Sequence, residues 1–468
     1  MLFSSLIFLW IFLPIVFVAT RVIKDTKISN IFLLIASLIF YSWGEPFYVL
    51  LMVFSVIVNY FCGIGVLKMN SDRNARILLA ICIIINIGLL GCFKYYNFFV
   101  DTVNDILPMV ALENRVIPLP IGISFYTFQA LSYVIDVYRK KVEVQTNAIK
   151  MALYICLFPQ LMAGPIVRYK DISSQLEARI LSTSKTAEGL TRFSYGLAKK
   201  VLIANTMGSI ADQFFDVLPA DQLTTAMAWV GIICYTLQIY YDFSGYSDMA
   251  IGLGKMLGFD FLENFNFPYI SASIKEFWRR WHISLSTWFR EYLYIPLGGN
   301  QKGRIRTYIN LYIVFFATGL WHGASWSFVA WGLFHGTFLV IERLFLGAWL
   351  QKNPIKFVNH IYTMLVVIVG WVFFRAWSLT GAFSYLKIMF LPTQTTHSFG
   401  LFYYVNPFVL TMLFFAIALC GFLRPFAEKY ADNNRFVNVR HVIAIVLFAF
   451  SVIWLAADTY NPFIYFRF

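Results

Sequence analysis

Charged side chains are scarce in this 468-residue sequence. They make up 13% of it, whereas hydrophobic residues make up 59% and aromatic residues 19%. Soluble domains carry about 25% charged residues, so this composition excludes a soluble protein. The sequence predicts an all-α polytopic membrane protein.

Long apolar runs support this prediction. Twelve of them are close to the ~20 residues that an α-helix needs to cross a bilayer, although several are short or polar enough to be re-entrant. They cover residues 2–20, 28–43, 47–66, 77–93, 117–135, 147–164, 226–241, 308–321, 326–346, 357–374, 407–423 and 438–457.

Acidic residues are fewer than basic ones, 24 against 37, which gives a net charge of +13. In a soluble protein this excess would favour nucleic-acid binding. Here the cations occupy short loops beside apolar runs, where orientation and anionic lipid headgroups explain them. Basic clusters follow the first, third and fifth runs, so the positive-inside rule predicts an outward-facing N-terminus. We expect membrane lipids as neighbours, and no nucleic acid.

The sequence also lacks cysteine pairs, internal repeats and linkers. Its six cysteines are scattered, without a Cys-x-x-Cys pair or the spacing of metal ligands. No Pro- or Ser-rich linker and no low-complexity block divides the chain. The first apolar run has neither a basic leader nor a small-residue cleavage site, which indicates a retained helix. We therefore expect one integral domain, residues 1–468.

One histidine interrupts an apolar stretch that ends in Gly-Leu-Trp-His-Gly at 319–323. His322 lies sixteen residues beyond Arg306, about 24 Å along a helix at ~1.5 Å per residue. An imidazole at membrane depth is costly and by default indicates a functional site. Histidine accepts a proton readily near neutral pH, so His322 is our candidate base. The alternative is a packing histidine that bonds a backbone carbonyl.

Two further histidines lie in comparable surroundings. His335 follows in Trp-Gly-Leu-Phe-His-Gly at 331–336, where Gly332 and Gly336 would equally explain close helix packing. His282 lies in a basic and aromatic stretch at 275–292, whose periodicity predicts one amphipathic helix suited to the membrane interface. There His282 could face headgroups or a polar cavity. No histidine pair has the spacing of metal ligands, so we predict no metal site.

Polar residues near these stretches offer supporting roles. Asp242 could orient a histidine or hold an arginine of the basic helix, whereas Asp248 fits an ordinary ion pair better. The loop at 298–304 offers backbone donors and cations to a phosphate-bearing donor, or is simply a positive-inside loop. Ser325 lacks the turn signature of a nucleophile.

Several motifs together closely resemble the membrane-bound O-acyltransferases, especially the bacterial alginate O-acetyltransferase branch. They are Arg-Arg-Trp-His-Ile-Ser-Leu-Ser at 279–286, Trp-Phe-Arg-Glu-Tyr-Leu-Tyr-Ile-Pro-Leu-Gly-Gly-Asn at 288–300 and Trp-His-Gly at 321–323, with the segments at 118–128, 160–166 and 241–248. The resemblance covers most of the chain.

The resemblance implies a bundle of about eleven transmembrane helices, with re-entrant and interfacial helices, around a central funnel. It implies that His322 is the catalytic histidine and that His282 occupies the second motif position, with His335 and Asp242 as our supporting candidates. No cofactor would be bound. The substrates would be a cytoplasmic thioester donor, acetyl-CoA or an acyl carrier protein, and a hydroxyl acceptor from outside.

The expected activity is transfer of an acyl group, in the first place acetyl, to an exported or cell-wall polysaccharide across the bacterial cytoplasmic membrane. An extracytoplasmic esterase-like partner would complete the transfer. Related systems carry a similar aromatic tail, which makes Tyr465 a candidate acyl relay or an interfacial anchor. D-alanyl transfer to teichoic acid is the enzymatic alternative. A solute transporter, the non-enzymatic one, would predict inverted repeats, which the sequence lacks.

Overall fold

The computed structural model describes residues 1–107, 109, 112–162, 164–391, 399–430, 433–457 and 460–464. Every regular element in these ranges is a helix, which confirms the all-α prediction for this part of the chain. The candidate relay Tyr465 lies outside the described residues. The chain divides into two compact units, Met1–Phe193 with Met249–Glu263, and Ser194–Asp248 with Asn264–Phe468.

The first unit packs α3, α4 and α6 against one another. A buried amide pair joins α3 to α4, since Asn59 Nδ2 donates to Asn86 Oδ1 at 3.0 Å. Its helices are α1 (Leu13–Val22), α2 (Thr26–Ser42), α3 (Val49–Lys68), α4 (Asp72–Leu90), α5 (Tyr96–Ile106), α6 (Ile123–Tyr138), α7 (Ala148–Cys156), α8 (Phe158–Leu161), α9 (Tyr169–Glu177) and the greater part of α10 (Thr183–Ala198).

The second unit holds the conspicuous histidines. Its core includes the buried Trp281, Trp331 and Trp371. Its helices are α11 (Asn205–Asp212), most of α12 (Thr225–Met256), α13 (Ile274–Arg280), α14 (Ile283–Phe289), α15 (Arg304–His322), α16 (Trp326–Ile341), α17 (Gly347–Lys352), α18 (Lys356–Arg375), α19 (Leu379–Phe390), α20 (Leu401–Tyr404), α21 (Pro407–Leu419), α22 (Arg424–Lys429) and α23 (Asn434–Ala457).

Five helical stretches among the described residues are long and apolar enough to span a bilayer. They are Val49–Lys68, Asp72–Ile106, Trp326–Lys352, Lys356–Arg375 and Arg435–Ala457. Three shorter apolar helices, Phe8–Val22, Thr26–Ser42 and Pro407–Leu419, accompany them. These helices agree with a membrane protein, whereas the expected number of about eleven spans stays a prediction, as does the single domain over residues 1–468.

Glycines bring α15 and α16 into close contact. A Cβ atom at Gly332 would lie 2.2 Å from the carbonyl oxygen of Phe315, and one at Gly319 would lie 2.4 Å from that of Phe328. Backbone therefore packs directly on backbone at both glycines, as small residues permit between membrane helices. The π-helical stretch that continues α16 fixes α13, because the Glu342 carboxylate accepts hydrogen bonds from the Ile274 and Lys275 amides at 2.6 and 3.0 Å.

The predicted continuous helix over 275–292 is wrong. The chain forms α13 and α14 with a break at Trp281 and His282, and His282 adopts a left-handed backbone with φ 42°. The loop before α13 holds this break, since Asn264 O accepts the Ile283 amide at 2.9 Å. The aromatic stripe is buried rather than interfacial, with Trp281, Leu285 and Trp288 at most 7% exposed.

Candidate active site

His322 is the last residue of α15, and its ring lies among aromatic side chains. Its ring centroid is 5.0 Å from that of Trp331 and 5.1 Å from that of Phe374, both in edge-to-face geometry. The side chain is 5% exposed. Trp331 belongs to α16 and Phe374 to α18, so the packing of three helices fixes the orientation of the imidazole.

A small cavity adjoins the His322 ring. Its volume is about 10 Å³, which is the space that one water molecule needs. Apart from Ile464 near the C-terminus, its walls come from α12, α15, α16, α18 and the end of α13. They are formed by Ile239, Phe243, Trp281, His322, Trp331, Trp371, Phe374 and Ile464. The cavity is closed to an acetyl thioester in this conformation.

His282 lies close to this site but does not belong to the cavity wall. Its ring centroid is 5.9 Å from that of Trp321 and 4.6 Å from that of Phe243. It is 1% exposed, so it faces the protein interior and not the lipid headgroups. Burial lowers the pKa of His282 to about 3, and its imidazole is therefore neutral at pH 7.

Asn264 determines the tautomer of His282. Its Nδ2 donates to Ser247 Oγ at 3.0 Å, and its Oδ1 lies 3.1 Å from His282 Nδ1. Because an amide oxygen can only accept, Nδ1 carries the proton and Nε2 keeps its lone pair. Within the described part of the chain, Nε2 has no hydrogen-bond partner.

His335 is also buried, one helical turn beyond Trp331 on α16. It is 0% exposed, and its ring centroid lies 5.4 Å from that of Trp331 and 5.2 Å from that of Trp278. Neither ring nitrogen has a hydrogen-bond partner among the described residues. A Cβ atom at Gly370 would lie 2.6 Å from His335 Nε2, so the small-residue packing expected around His335 extends to α18.

The sequence-based interpretation of Asp242 is wrong. Asp242 holds neither a histidine nor an arginine of the basic stretch. It lies inside α12, where Lys200 Nζ is 3.1 Å from its Oδ1 and the Ile464 amide donates to its Oδ2 at 2.8 Å. The sequence places Lys200 more than forty residues away and gives no sign of this pairing. Asp248 forms an ion pair with Lys199 at 2.6 Å, which agrees with its expected role.

A pocket of about 220 Å³ opens beside the His322 cavity at the end of α15. Arg375 in its wall is held by Asp216 at 2.5 Å and by Asp212 at 2.9 Å. Phe374 lines both this pocket and the His322 cavity. The lining residues are Tyr235, Gly323, Ala324, Ser325, Phe328, Phe374, Arg375, Ala376 and Trp377. We call this space the outer pocket.

A larger pocket of about 790 Å³ lies beyond the opposite end of α16. Three cations, Lys275, Arg343 and Lys356, line it together with Glu276 and Glu342. Asn300, from the loop that follows α14, belongs to the same wall. We call this space the basic-end pocket, since the basic start of α15 follows that loop.

Several residues of this site escape sequence reasoning. Asn264 and Phe374 contact the two histidines or their cavity, yet neither belongs to a recognisable motif. Ile464 belongs to the aromatic tail, which the sequence singles out only for Tyr465. In the sequence, Trp331 and Trp371 look like ordinary apolar residues of a helix. Only Trp331 could have been singled out, because it stands beside a glycine in the segment that also holds His335.

The sequence profile of the membrane-bound O-acyltransferase family matches residues 139–386. This match includes α13 to α18, and with them His282, His322 and His335. The chain belongs to this family. As a membrane-bound O-acyltransferase it is an enzyme, which excludes the solute transporter.

Relatives within the family sharpen this assignment. The chain is 42% identical over its full length to a probable alginate O-acetylase of Pseudomonas putida, and 40% identical over its full length to one of Azotobacter vinelandii, each relative being covered completely. It is 33% identical to a peptidoglycan O-acetyltransferase of Helicobacter pylori over 100% of this chain and 98% of that one. These relatives confirm the expected O-acetyltransferase.

Proposed function

We propose that this enzyme moves acetyl groups from a cytoplasmic thioester donor, acetyl-CoA or an acyl carrier protein, to a hydroxyl acceptor that serves an exported or cell-wall polysaccharide. It would act in the bacterial cytoplasmic membrane, as about eleven spans around a central funnel. The observation that carries the proposal is the position of His322, on the wall of a buried cavity with a larger pocket near each end of α16.

His322 would act as the general base. As the acceptor oxygen attacks the thioester carbonyl, a ring nitrogen of His322 takes the hydroxyl proton. Fixed dipoles of the protein hold the oxyanion of the tetrahedral intermediate. The intermediate then expels the thiolate, which takes the proton back from the imidazolium. The products are an O-acetyl ester and a free thiol, and His322 is again neutral.

The two pockets suit the two substrates. Lys275, Arg343 and Lys356 in the basic-end pocket would meet a phosphate-bearing donor on the cytoplasmic side, where the positive-inside rule puts basic loops. The outer pocket would admit the acceptor. Its one cationic lining residue, Arg375, is neutralised by Asp212 and Asp216, so an acceptor without dense negative charge fits it best.

The other predicted residues would support His322. His282 is neutral, and the lone pair on its Nε2 could accept a hydrogen bond from a substrate. His335 lies between Trp331 and the basic-end pocket along α16, where its ring nitrogens could bind polar groups of the donor. Asp242 supports the site only through the C-terminal residues that it holds.

Tyr465 follows directly after Ile464, which lines the catalytic cavity. We keep it as a candidate acyl relay, which would pass the acetyl group to an extracytoplasmic esterase-like partner. Replacement of Tyr465 by phenylalanine would then abolish acetylation of the surface polymer while leaving membrane insertion intact. Unchanged acetylation would exclude the relay.

The decisive experiment replaces His322 by alanine in a strain that lacks its own copy of the gene. Ester-linked acetate on the surface polymer is released with mild base and quantified. We expect acetate at the background level, because no other group on the cavity wall can take the proton. His441→Ala, a histidine on α23 outside the cavity, is the matched control and should give wild-type acetate. Wild-type acetate in His322→Ala would refute the assignment.

D-alanyl transfer stays the second candidate because one specific similarity favours it. The chain is 31% identical to a teichoic acid D-alanyltransferase of Streptococcus thermophilus, although over only 50% of this chain and 58% of that one. The base-released product separates the two reactions, since one yields acetate and the other D-alanine. We expect acetate alone.

A further inference from the structure

The C-terminal segment, residues 460–464, reaches the catalytic cavity outside the α-helices. It follows α23, which packs against the π-helical stretch Lys199–Ala204 between α10 and α11. Its last residue, Ile464, is 3% exposed and forms part of the wall that also contains His322. The other lining residues come from helices or from Trp281 at the end of α13. The position of the Ile464 wall therefore depends on the side chains that hold the C-terminal segment in place.

Two charged side chains hold this segment by its backbone. Asp242 Oδ2 accepts the Ile464 amide at 2.8 Å. Lys200 Nζ donates to the carbonyl oxygen of Pro462 and to Asn205 Oδ1, the latter at 2.8 Å. Asn205 Nδ2 donates to the carbonyl oxygen of Tyr460 at 3.1 Å. Lys200, Asp242 and Asn205 thus satisfy buried backbone groups that no helix could satisfy.

The Lys200–Asp242 pair is itself fully enclosed, with side chains 3% and 1% exposed. Desolvating two charges costs free energy that their attraction often fails to recover, and an apolar pair of similar volume is frequently as stable. Core stability alone does not explain an ion pair here. An apolar pair could not bind the amide of Ile464 and the carbonyl of Pro462, whereas this pair binds both.

We infer that Lys200 and Asp242 are positioning residues, which form a clamp that docks the C-terminal segment and so sets the Ile464 wall of the catalytic cavity. The inference rests on the proposed role of His322. Neither side chain lines the cavity, so they act through the segment. Undocking would remove one wall and leave the reacting groups misplaced and open to water.

Two uncharged double variants test the clamp. Lys200→Met/Asp242→Asn keeps a side-chain oxygen that can accept the Ile464 amide. Lys200→Met/Asp242→Leu removes it. Both avoid an unpaired buried charge, so their melting temperatures should be similar. The docking readout is maleimide labelling of an Ile464→Cys reporter, located by mass spectrometry, with Cys92→Ser added because Cys92 is an exposed thiol. The reporter must first retain acetylation.

We expect the Asn variant to keep the reporter protected and to retain most of its acetate transfer. The Leu variant should become labelled and lose transfer by about tenfold or more, because small displacements of a reacting centre are costly. The clamp is refuted if both variants remain protected and active, or if the Leu variant is labelled and yet fully active.

Two further variants keep the test decisive. If the Leu variant does not fold, Asn205→Ala removes the hydrogen bonds that Asn205 makes with Tyr460 and Lys200 while the Lys200–Asp242 ion pair remains. Labelling should then rise as transfer falls. Labelling without lost transfer would again overturn the clamp. His322→Ala should be inactive with a protected reporter. An active His322→Ala variant would instead contradict the proposed function, whatever the labelling shows.

Discussion

The contact of Gly332 with Phe315 makes the position of His322 sensitive to one methyl group. In Gly332→Ala the new Cβ would lie 2.2 Å from the Phe315 carbonyl oxygen, whereas real Cβ atoms stay beyond 3.0 Å. The backbone of α15 must therefore retreat by at least 0.8 Å, the difference between these two distances. His322 lies two turns further along the same helix, so it moves as well.

Gly336→Ala is the matched control on the same face of α16. Its Cβ would lie 3.3 Å from the nearest atom, the Phe315 Cβ, which a small shift relieves. Both alanines gain roughly 1 kcal/mol of helix propensity over glycine. Overpacking lowers stability by about 1–3 kcal/mol, and only Gly332→Ala is expected to lose this stability. The difference between the two variants therefore isolates the clash.

Two measurements check this prediction. Thermal melting of the detergent-solubilised protein should place Gly332→Ala below Gly336→Ala. Ester-linked acetate on the surface polymer should fall by about a hundredfold in Gly332→Ala, the cost of misplacing a catalytic group by ~1 Å, and stay near the wild-type value in Gly336→Ala. Equal melting temperatures and equal acetate in the two variants would refute the argument from backbone contact.

Two other predictions concern protonation and closure of the site. The pKa of His282 is about 3 in the folded protein and ~6.5 in the unfolded one, so the unfolded state binds more protons below pH 6.5. At pH 5 this lowers the free energy of unfolding by about 2 kcal/mol. Between pH 8 and pH 5 the melting temperature should therefore fall further for the wild type than for His282→Asn. An equal fall in both proteins would contradict burial of His282 as the cause of the pH dependence. Phe374→Ala joins the outer pocket to the His322 cavity, so thioester hydrolysis by purified protein should rise relative to acetyl transfer, at a stability cost of about 3–5 kcal/mol. An unchanged ratio, or the same ratio in Phe374→Leu, would exclude Phe374 as the barrier.

Composition and local pattern sufficed for the class of protein and for the helix that carries His322. The scarcity of charge predicted membrane helices, and the apolar run before His322 predicted the helix that ends at this residue. Apolar periodicity could not predict the break at His282. That break depends on Asn264, eighteen residues away, whose side-chain and backbone carbonyl oxygens bind His282 and Ile283.

Contacts between residues that are far apart in the sequence could not be predicted either. The sequence offers Asp242 a histidine, or an arginine of the basic helix, as possible partners. Its actual partner, Lys200, lies on the π-helical stretch that continues α10, and its second contact is a backbone amide of the C-terminal segment. Charge alone cannot choose among basic residues, because the choice depends on which helices pack together.

The small size of the closed cavity would explain a reaction that proceeds only when both substrates are bound. With His322 as the proposed base, a thioester that reached it beside bulk water would be exposed to hydrolysis, since that base could also activate water. With about 10 Å³ beside the imidazole, the resting enzyme holds at most one water molecule there. Space for the acetyl group must come from movement of a wall. Phe374 separates the cavity from the outer pocket, where we propose that the acceptor enters, and Ile464 forms another wall. An acceptor that displaces one of these side chains would create the space in which its own hydroxyl reacts.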